Sequence, residues 1–236
     1  KVMDKITLSP SKLSLLRECP RCFYDANVLK IVRPRGIFPS LPGGIDRMMK
    51  KYTNEYRGSL PPFLVVPGVL FPDASKIKKW QYWKTAPRYS DPDLDVEVYG
   101  AIDDLLVQPD GSVDPLDFKT KGGEPKDDGS QYYQLQMDIY NLLFSVNGFK
   151  VNNRAFLAYL WPEIAADKIS TTTQPPDADE LITVFKTKVF TLECSVDRAL
   201  ETIKRACEVL RGPRPESDPT CEMCKWARDV AVAENE

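Results

Sequence analysis

Alternation of apolar and polar positions is clearest between Val96 and Thr120. Two extended runs, Val96–Val107 and Ser112–Thr120, flank Gln108-Pro109-Asp110-Gly111, a tight-turn signal, and the stretch reads as a β-hairpin. Apolar spacings of three and four predict helices on both sides of it. The first begins at Ser9, an N-cap followed by Pro10, and sets Leu13 and Leu16 on one face. A second, Ile45–Tyr56, carries Ile45, Met48, Met49, Tyr52 and Tyr56 as a stripe, with Arg47, Lys50, Lys51 and Arg57 off it. Ser75–Trp83 is a short basic helix. Ser130–Val146 places Tyr133, Gln136 or Met137, Tyr140 and Phe144 on one face and ends at Asn147-Gly148, a left-handed cap signal. Ser195–Leu210 is the last long helix, stopped by Gly212-Pro213. Residues 154–161 read as a buried strand and Leu181–Leu192 as another. Polar loops are expected at Gly122–Gly129 and Asp167–Asp179, and a basic loop at Arg33-Pro34-Arg35-Gly36. Leu41-Pro42-Gly43-Gly44 is expected to break regular structure.

A chain of 236 residues can fill one domain with a sizeable core. The net charge of −2 carries no overall basic signature, so a nucleic-acid partner would have to be met by local clusters of lysine and arginine. No apolar run reaches the length of a membrane span and no signal-peptide core opens the chain, so a cytoplasmic protein is expected. Histidine is absent. This removes Ser-His-Asp and Cys-His mechanisms, histidine-ligated zinc hydrolases and imidazole acid–base chemistry. Hydrolysis by this chain has to run on carboxylates, lysine, tyrosine and metal.

The hairpin gathers such groups. Asp117 and Lys119, two apart in a strand, project from one face while Phe118 points the other way into a core. A three-residue loop, 109–111, sets Asp103 opposite Asp117; a two-residue loop, 110–111, sets Asp104 there instead. In either register two carboxylates and a lysine share a face, which can hold a divalent cation beside an ammonium. Acids near a turn are also commonly solvated, and an Asp-Lys alternation is often a surface ion pair of little consequence. Gln136 and Tyr140, four apart on the following helix, share a face that can position a water, a lysine or a phosphate. Lys76, Lys78, Lys79 and Lys84 among Trp80, Tyr82 and Trp83 have the texture of a nucleic-acid contact, and equally of a helix whose rings pack inward.

Two Cys-x-x-Cys pairs, Cys19/Cys22 and Cys221/Cys224, lie near opposite ends of the chain. That spacing lets both thiolates of a pair face one metal, and two pairs make a tetrathiolate site that staples the terminal segments, 1–35 and 212–236, together. Cys194 and Cys207 have no such partners and read as small buried hydrophobes.

Taken in order, Cys19-Pro20-x-x-Phe23, Gly43-x-x-Asp46, Gly100-x-Ile102-Asp103, Asp117-x-Lys119-Thr120, Gln136-x-x-x-Tyr140 and the late Cys221-x-x-Cys224 resemble the RecB-type branch of the PD-(D/E)XK nuclease superfamily. In layout they are most similar to its cluster-bearing members, the nuclease domain of AddB and the CRISPR-associated adaptation nucleases. The resemblance spans Leu8 to Trp226. It implies an α/β (α+β) fold, with a restriction-endonuclease-like central mixed sheet flanked by helices. It implies a Mg²⁺- or Mn²⁺-dependent deoxyribonuclease acting on single-stranded DNA or DNA ends, with a helicase or a CRISPR adaptation complex as possible partner. The alternative it leaves is a DNA-binding or scaffold module that keeps the fold with little activity.

By the same resemblance, Asp103 rather than Asp104 is a metal ligand, with Asp117 and the Phe118 carbonyl. Lys119 orients the attacking water or stabilises charge on the phosphorane, and Gln136 and Tyr140 shape the site. Two departures stand out. Many relatives carry a histidine ligand in the first helix where this chain has Asp46, a harder oxygen donor still suited to Mg²⁺ or Mn²⁺. Cluster-bearing relatives supply one early and three late cysteines, whereas this chain supplies two and two. The resemblance favours a [4Fe–4S] cluster on Cys19, Cys22, Cys221 and Cys224, with Zn²⁺ as the alternative.

Overall fold

The computed structural model describes residues 5–34, 36, 40–163 and 183–233, without the side chains of 127–129. Arg35, the polar stretch 167–179 and residues 181 and 182 lie outside the described residues. Strands form two mixed sheets. In the smaller, β1 (Ile6–Leu8) pairs in parallel with β4 (Val96–Tyr99), which pairs antiparallel with β3 (Arg88–Asp91). The larger runs in the order β2 (Val69–Leu70), β5 (Asp104–Val107), β6 (Val113–Thr120), β7 (Arg154–Pro162) and β8 (Phe185–Glu193). Within it only β6 and β7 are parallel. A parallel pair needs a crossover, and α5 (Gln134–Val146) supplies it.

The first arm of the expected hairpin is not one strand. Between Tyr99 and Asp104 the chain leaves the small sheet and enters the large one. Gly100 explains the break: a Cβ there would lie 2.9 Å from Leu143 Cδ1 and 2.9 Å from Tyr140 Cε1. Helix α5 presses on the backbone where only a glycine fits, and Ile102 N–H donates to the Trp80 carbonyl (3.2 Å) instead of to a strand. The turn at the other end has the three-residue form. Gln108 N–H donates to the Ser112 carbonyl (2.8 Å), and Gly111 takes a positive φ of 79°. Pairing then runs from Val107 opposite Val113 to Asp104 opposite Leu116. One step further along this register, Asp103 faces Asp117.

Residues on β7 alternate between two cores. Ala155, Leu157 and Tyr159 face the larger one with α5, α1 (Pro10–Glu18) and α6 (Val196–Arg211). Phe156, Ala158 and Leu160, with Leu116 and Phe118, face the smaller one beneath α3 (Ser40–Asn54). Each leucine or phenylalanine among them fully removed from water contributes about 1.5–3 kcal/mol, and Phe118 is buried as expected. Cys194 and Cys207 are buried among apolar neighbours, also as expected.

Other elements differ from expectation at their ends. The Pro42-Gly43-Gly44 cluster does not break the chain but lies in the first turn of α3, where a missing N–H costs little. A 3₁₀ segment, Asp127–Tyr133, precedes α5. The short helix α4 (Ala74–Trp80) stands near the expected position, and α2 (Pro20–Tyr24) adds a further short helix that the sequence pattern does not predict. After Cys221 the chain forms α7 (Glu222–Ala233), which the sequence reading left without structure.

Candidate active site and cysteine centre

Strand β6 places Asp117 and Lys119 on the side of the sheet covered by α5. Asp117 is 2% exposed. Its Oδ1 accepts from Gln136 Nε2 (2.9 Å), and its Oδ2 lies 2.6 Å from Lys119 Nζ. Gln136 also accepts from Lys119 at Oε1 (3.3 Å) and donates to the Tyr140 hydroxyl (2.7 Å). Tyr140 in turn donates to the Ala101 carbonyl (2.6 Å), at the break between sheets. Gln136 thus fixes the acid and the lysine at once, and Tyr140 ties both to the strand break.

Asp103 joins from that break. Its Oδ2 accepts from the Phe118 N–H (2.9 Å), and its Oδ1 is 2.8 Å from Lys50 Nζ, which also contacts Asp46 at 2.9 Å. Asp104 turns elsewhere: fully buried, it is held by both terminal nitrogens of Arg57. Arg57, read from the sequence as an outward charge, is therefore an interior partner. All of the carboxylate, lysine, glutamine and tyrosine candidates meet in one cluster, but Asp46 reaches Asp103 only through Lys50. Lys50 and Tyr133 were missed as members. Lys119 Nζ sits 4.2 Å from the Tyr133 ring centroid. The available signal for Lys50 was its position four residues after Asp46 on one helix face.

Burial, together with the facing Asp103 charge, pushes the Asp117 carboxyl up to about 7. Burial works against the charge on Lys119 and Lys50. The carboxylates of Asp117 and Asp103 outweigh it at Lys119, and those of Asp103 and Asp46 at Lys50, so both lysines titrate above the usual lysine range. Two hard oxygen donors held together against their own repulsion have the chemistry of a divalent-cation site. Among the described residues, however, the only group of three or more metal-type ligands drawn within 4.8 Å is the cysteine set.

At that second centre α2 begins where Cys19 Sγ accepts from the Cys22 N–H (3.4 Å). Cys19 and Cys224 sulfurs are 3.7 Å apart, as are those of Cys22 and Cys221, and all four residues are buried. Burial raises Cys19 to about 12. It acts the same way on Cys221, but hydrogen bonds from the Cys224 and Met223 N–H groups and from neighbouring thiols outweigh it and draw Cys221 to about 7. Arg33 Nη2 also reaches Cys221 Sγ at 3.5 Å. It therefore belongs to this centre.

The basic and aromatic segment divides. Trp80 packs edge-on against Phe71, Phe144 and Phe149 in the core, whereas Tyr82 and Trp83 stay half exposed.

Two mixed sheets flanked by helices carry the paired acids and the lysine where β6 runs beside the break before β5. The chain belongs to the PD-(D/E)XK nuclease superfamily, whose model matches residues 64–228. That match contains Asp103, Asp117, Lys119, Gln136 and Tyr140; Asp46, Cys19 and Cys22 lie before it. Among solved structures, that of SSO0001 is similar over 97% of this chain and 87% of its own, at 15% identity and a TM-score of 0.46. A search of curated proteins finds no match. Among the described residues no helix is long and apolar enough to cross a membrane.

Proposed function

We propose that the protein is a Mg²⁺- or Mn²⁺-dependent deoxyribonuclease of the RecB-type branch, acting on single-stranded DNA or on DNA ends in repair, recombination or CRISPR-type processing. The observation that carries this reading is the joint hold of Gln136 on Asp117 and Lys119, with Asp103 brought opposite by the three-residue turn. Asp103, Asp117 and the Phe118 carbonyl would hold the ion, with Asp46 available beyond Lys50. When bound, such an ion lowers the pKa of a coordinated water and neutralises phosphate charge. Lys119 stands beside the nucleophile, donating to the attacking oxygen or to the phosphate as charge grows in line. Gln136 and Tyr140 keep that ammonium and carboxylate from rotating away.

The proposal extends to a single domain over 1–236 whose segments 1–35 and 212–236 are joined by the cysteine centre, in a reducing cytoplasm. For its occupant, a [4Fe–4S] cluster is set against Zn²⁺. The 3.7 Å sulfur contacts favour zinc: four sulfurs about 2.3 Å from one tetrahedral ion lie about 3.8 Å apart, and a cubane would spread them further.

Substituting Lys119→Ala or Asp117→Ala is expected to lower cleavage of end-labelled single-stranded DNA by about a hundredfold or more, with the far-ultraviolet spectrum unchanged. Cleavage that survives both changes rejects the assignment. DNA binding by the parent chain without metal-dependent cutting would instead favour the scaffold module.

A further inference from the structure

A cleft of about 610 Å³ opens beside the acidic cluster, with Gln136 and Tyr140 in its lining. Ser11 and Ser14 of α1 line it too, together with Trp83, Tyr99 and Tyr132. Two of these rings are out of place for a folded core. Trp83 is 51% exposed and Tyr132 56%, while Trp80, three residues before Trp83, is packed inside. Each ring also carries a cation at its face: Lys84 Nζ lies 5.5 Å from the Trp83 ring and Arg17 6.0 Å from Tyr132, as Arg88 lies 5.1 Å from Tyr99.

Arg88 does more than neutralise. It donates to the Trp83 carbonyl (3.2 Å) and the Lys84 carbonyl (3.4 Å) while paired with Glu97, which fixes the loop that presents Trp83. Arg17 likewise donates to the Tyr132 carbonyl (3.1 Å). The acid in the lining, Glu18, is paired with Arg33 at 2.8 Å, so its charge is compensated. The rings are thus held exposed on purpose-built supports, next to cations and hydroxyls.

Rings on fixed supports stack on any base that offers its face, and neighbouring cations take the phosphates. A duplex keeps its base faces covered. We propose that this cleft is a subsite for an unpaired nucleic-acid strand, with bases stacked on Trp83 and Tyr132 and phosphates met by Lys84 and Arg17. The subsite rests on the nuclease reading for its purpose: it feeds a single strand towards Lys119 and excludes paired DNA.

The test measures binding, not cleavage. An Asp117→Asn chain without divalent metal is titrated with a labelled oligothymidylate, with the same oligomer carrying abasic positions, and with a duplex of equal length. Trp83→Ala and Tyr132→Ala are each expected to weaken oligothymidylate binding about tenfold or more, to leave the duplex unchanged and to have no further effect on the abasic strand. Trp83→Phe should retain most of the affinity, which separates stacking from misfolding. Wild-type affinity in both alanine variants, or equal losses on all three ligands, overturns the subsite. Strand binding by a parent that cuts nothing with Mg²⁺ or Mn²⁺ supports the subsite and defeats the nuclease reading instead.

Discussion

Lys50 is the residue whose placement alters the chemistry most. Its ammonium stands between Asp46 and Asp103, where a second divalent ion would otherwise find oxygen donors. Replacing it with methionine removes a competing charge and leaves the two acids facing each other. Lys50→Met should therefore bind Mn²⁺ more tightly by about tenfold or more, since close unit charges at a protein surface interact by about 1–4 kcal/mol. Titration followed by the Mn²⁺ spin signal measures it, and an unchanged affinity would show that Lys50 does not compete. At this scale the sequence was informative where chemistry is local. Strand period put Asp117 and Lys119 on one face, and helix period put Gln136 with Tyr140. It pointed to the Lys50–Asp46 pair but not to the partners Asp103 and Asp104, which lie about fifty residues further along the chain from Lys50 and Arg57. Their sign and position alone looked like an ordinary solvated face.

Elements tell a similar story through Gly100. The run from Val96 to Val107 reads in sequence as one extended stretch, and nothing local demands that it split between two sheets. What splits it is α5, whose Tyr140 and Leu143 occupy the space of a Cβ. Gly100→Ala is expected to lower stability by about 1–3 kcal/mol, the usual range for overpacking a close contact. It should reduce DNA cleavage further than stability alone explains, since Tyr140 must move and it holds Gln136. Denaturant unfolding and single-turnover cleavage on the same preparation separate the two effects. Stability equal to the parent would mean that α5 does not press here. The same dependence on distant packing hid the helical start at Ser40, where Pro42, Gly43 and Gly44 argued for a loop. It also hid α7, whose sequence gave only a pair of cysteines.

For the molecule as a whole, the cysteine centre is the one long-range link that local spacing could announce. Each Cys-x-x-Cys pair is visible alone; that the two meet required the fold. With any metal held by the four cysteines withdrawn by a chelator, or with Cys221→Ser, α2 and α7 should become open to protease while the β6–β7 core stays protected. Limited digestion followed by mass mapping reads this, and uniform protection would mean that the staple is dispensable. Metal analysis on the same sample should return one zinc per chain and no absorbance near about 400 nm, the region of thiolate-bound iron. A brown protein would instead place a cluster there.

The partners in that staple are 205 and 199 residues apart. During synthesis Cys19 and Cys22 leave the ribosome long before Cys221 and Cys224 exist. By the time the knot can be tied, the acids, the lysine and the helix that hold them have all been made. Helix α1, which lines the cleft beside those groups, packs into the core through Leu13 and Leu16 but gains its tie to α7 only then. A chain interrupted before residue 221 would carry the candidate site without that tie, and two thiols in place of the four-cysteine centre. The tie is thus made only after every residue of the candidate site is in place.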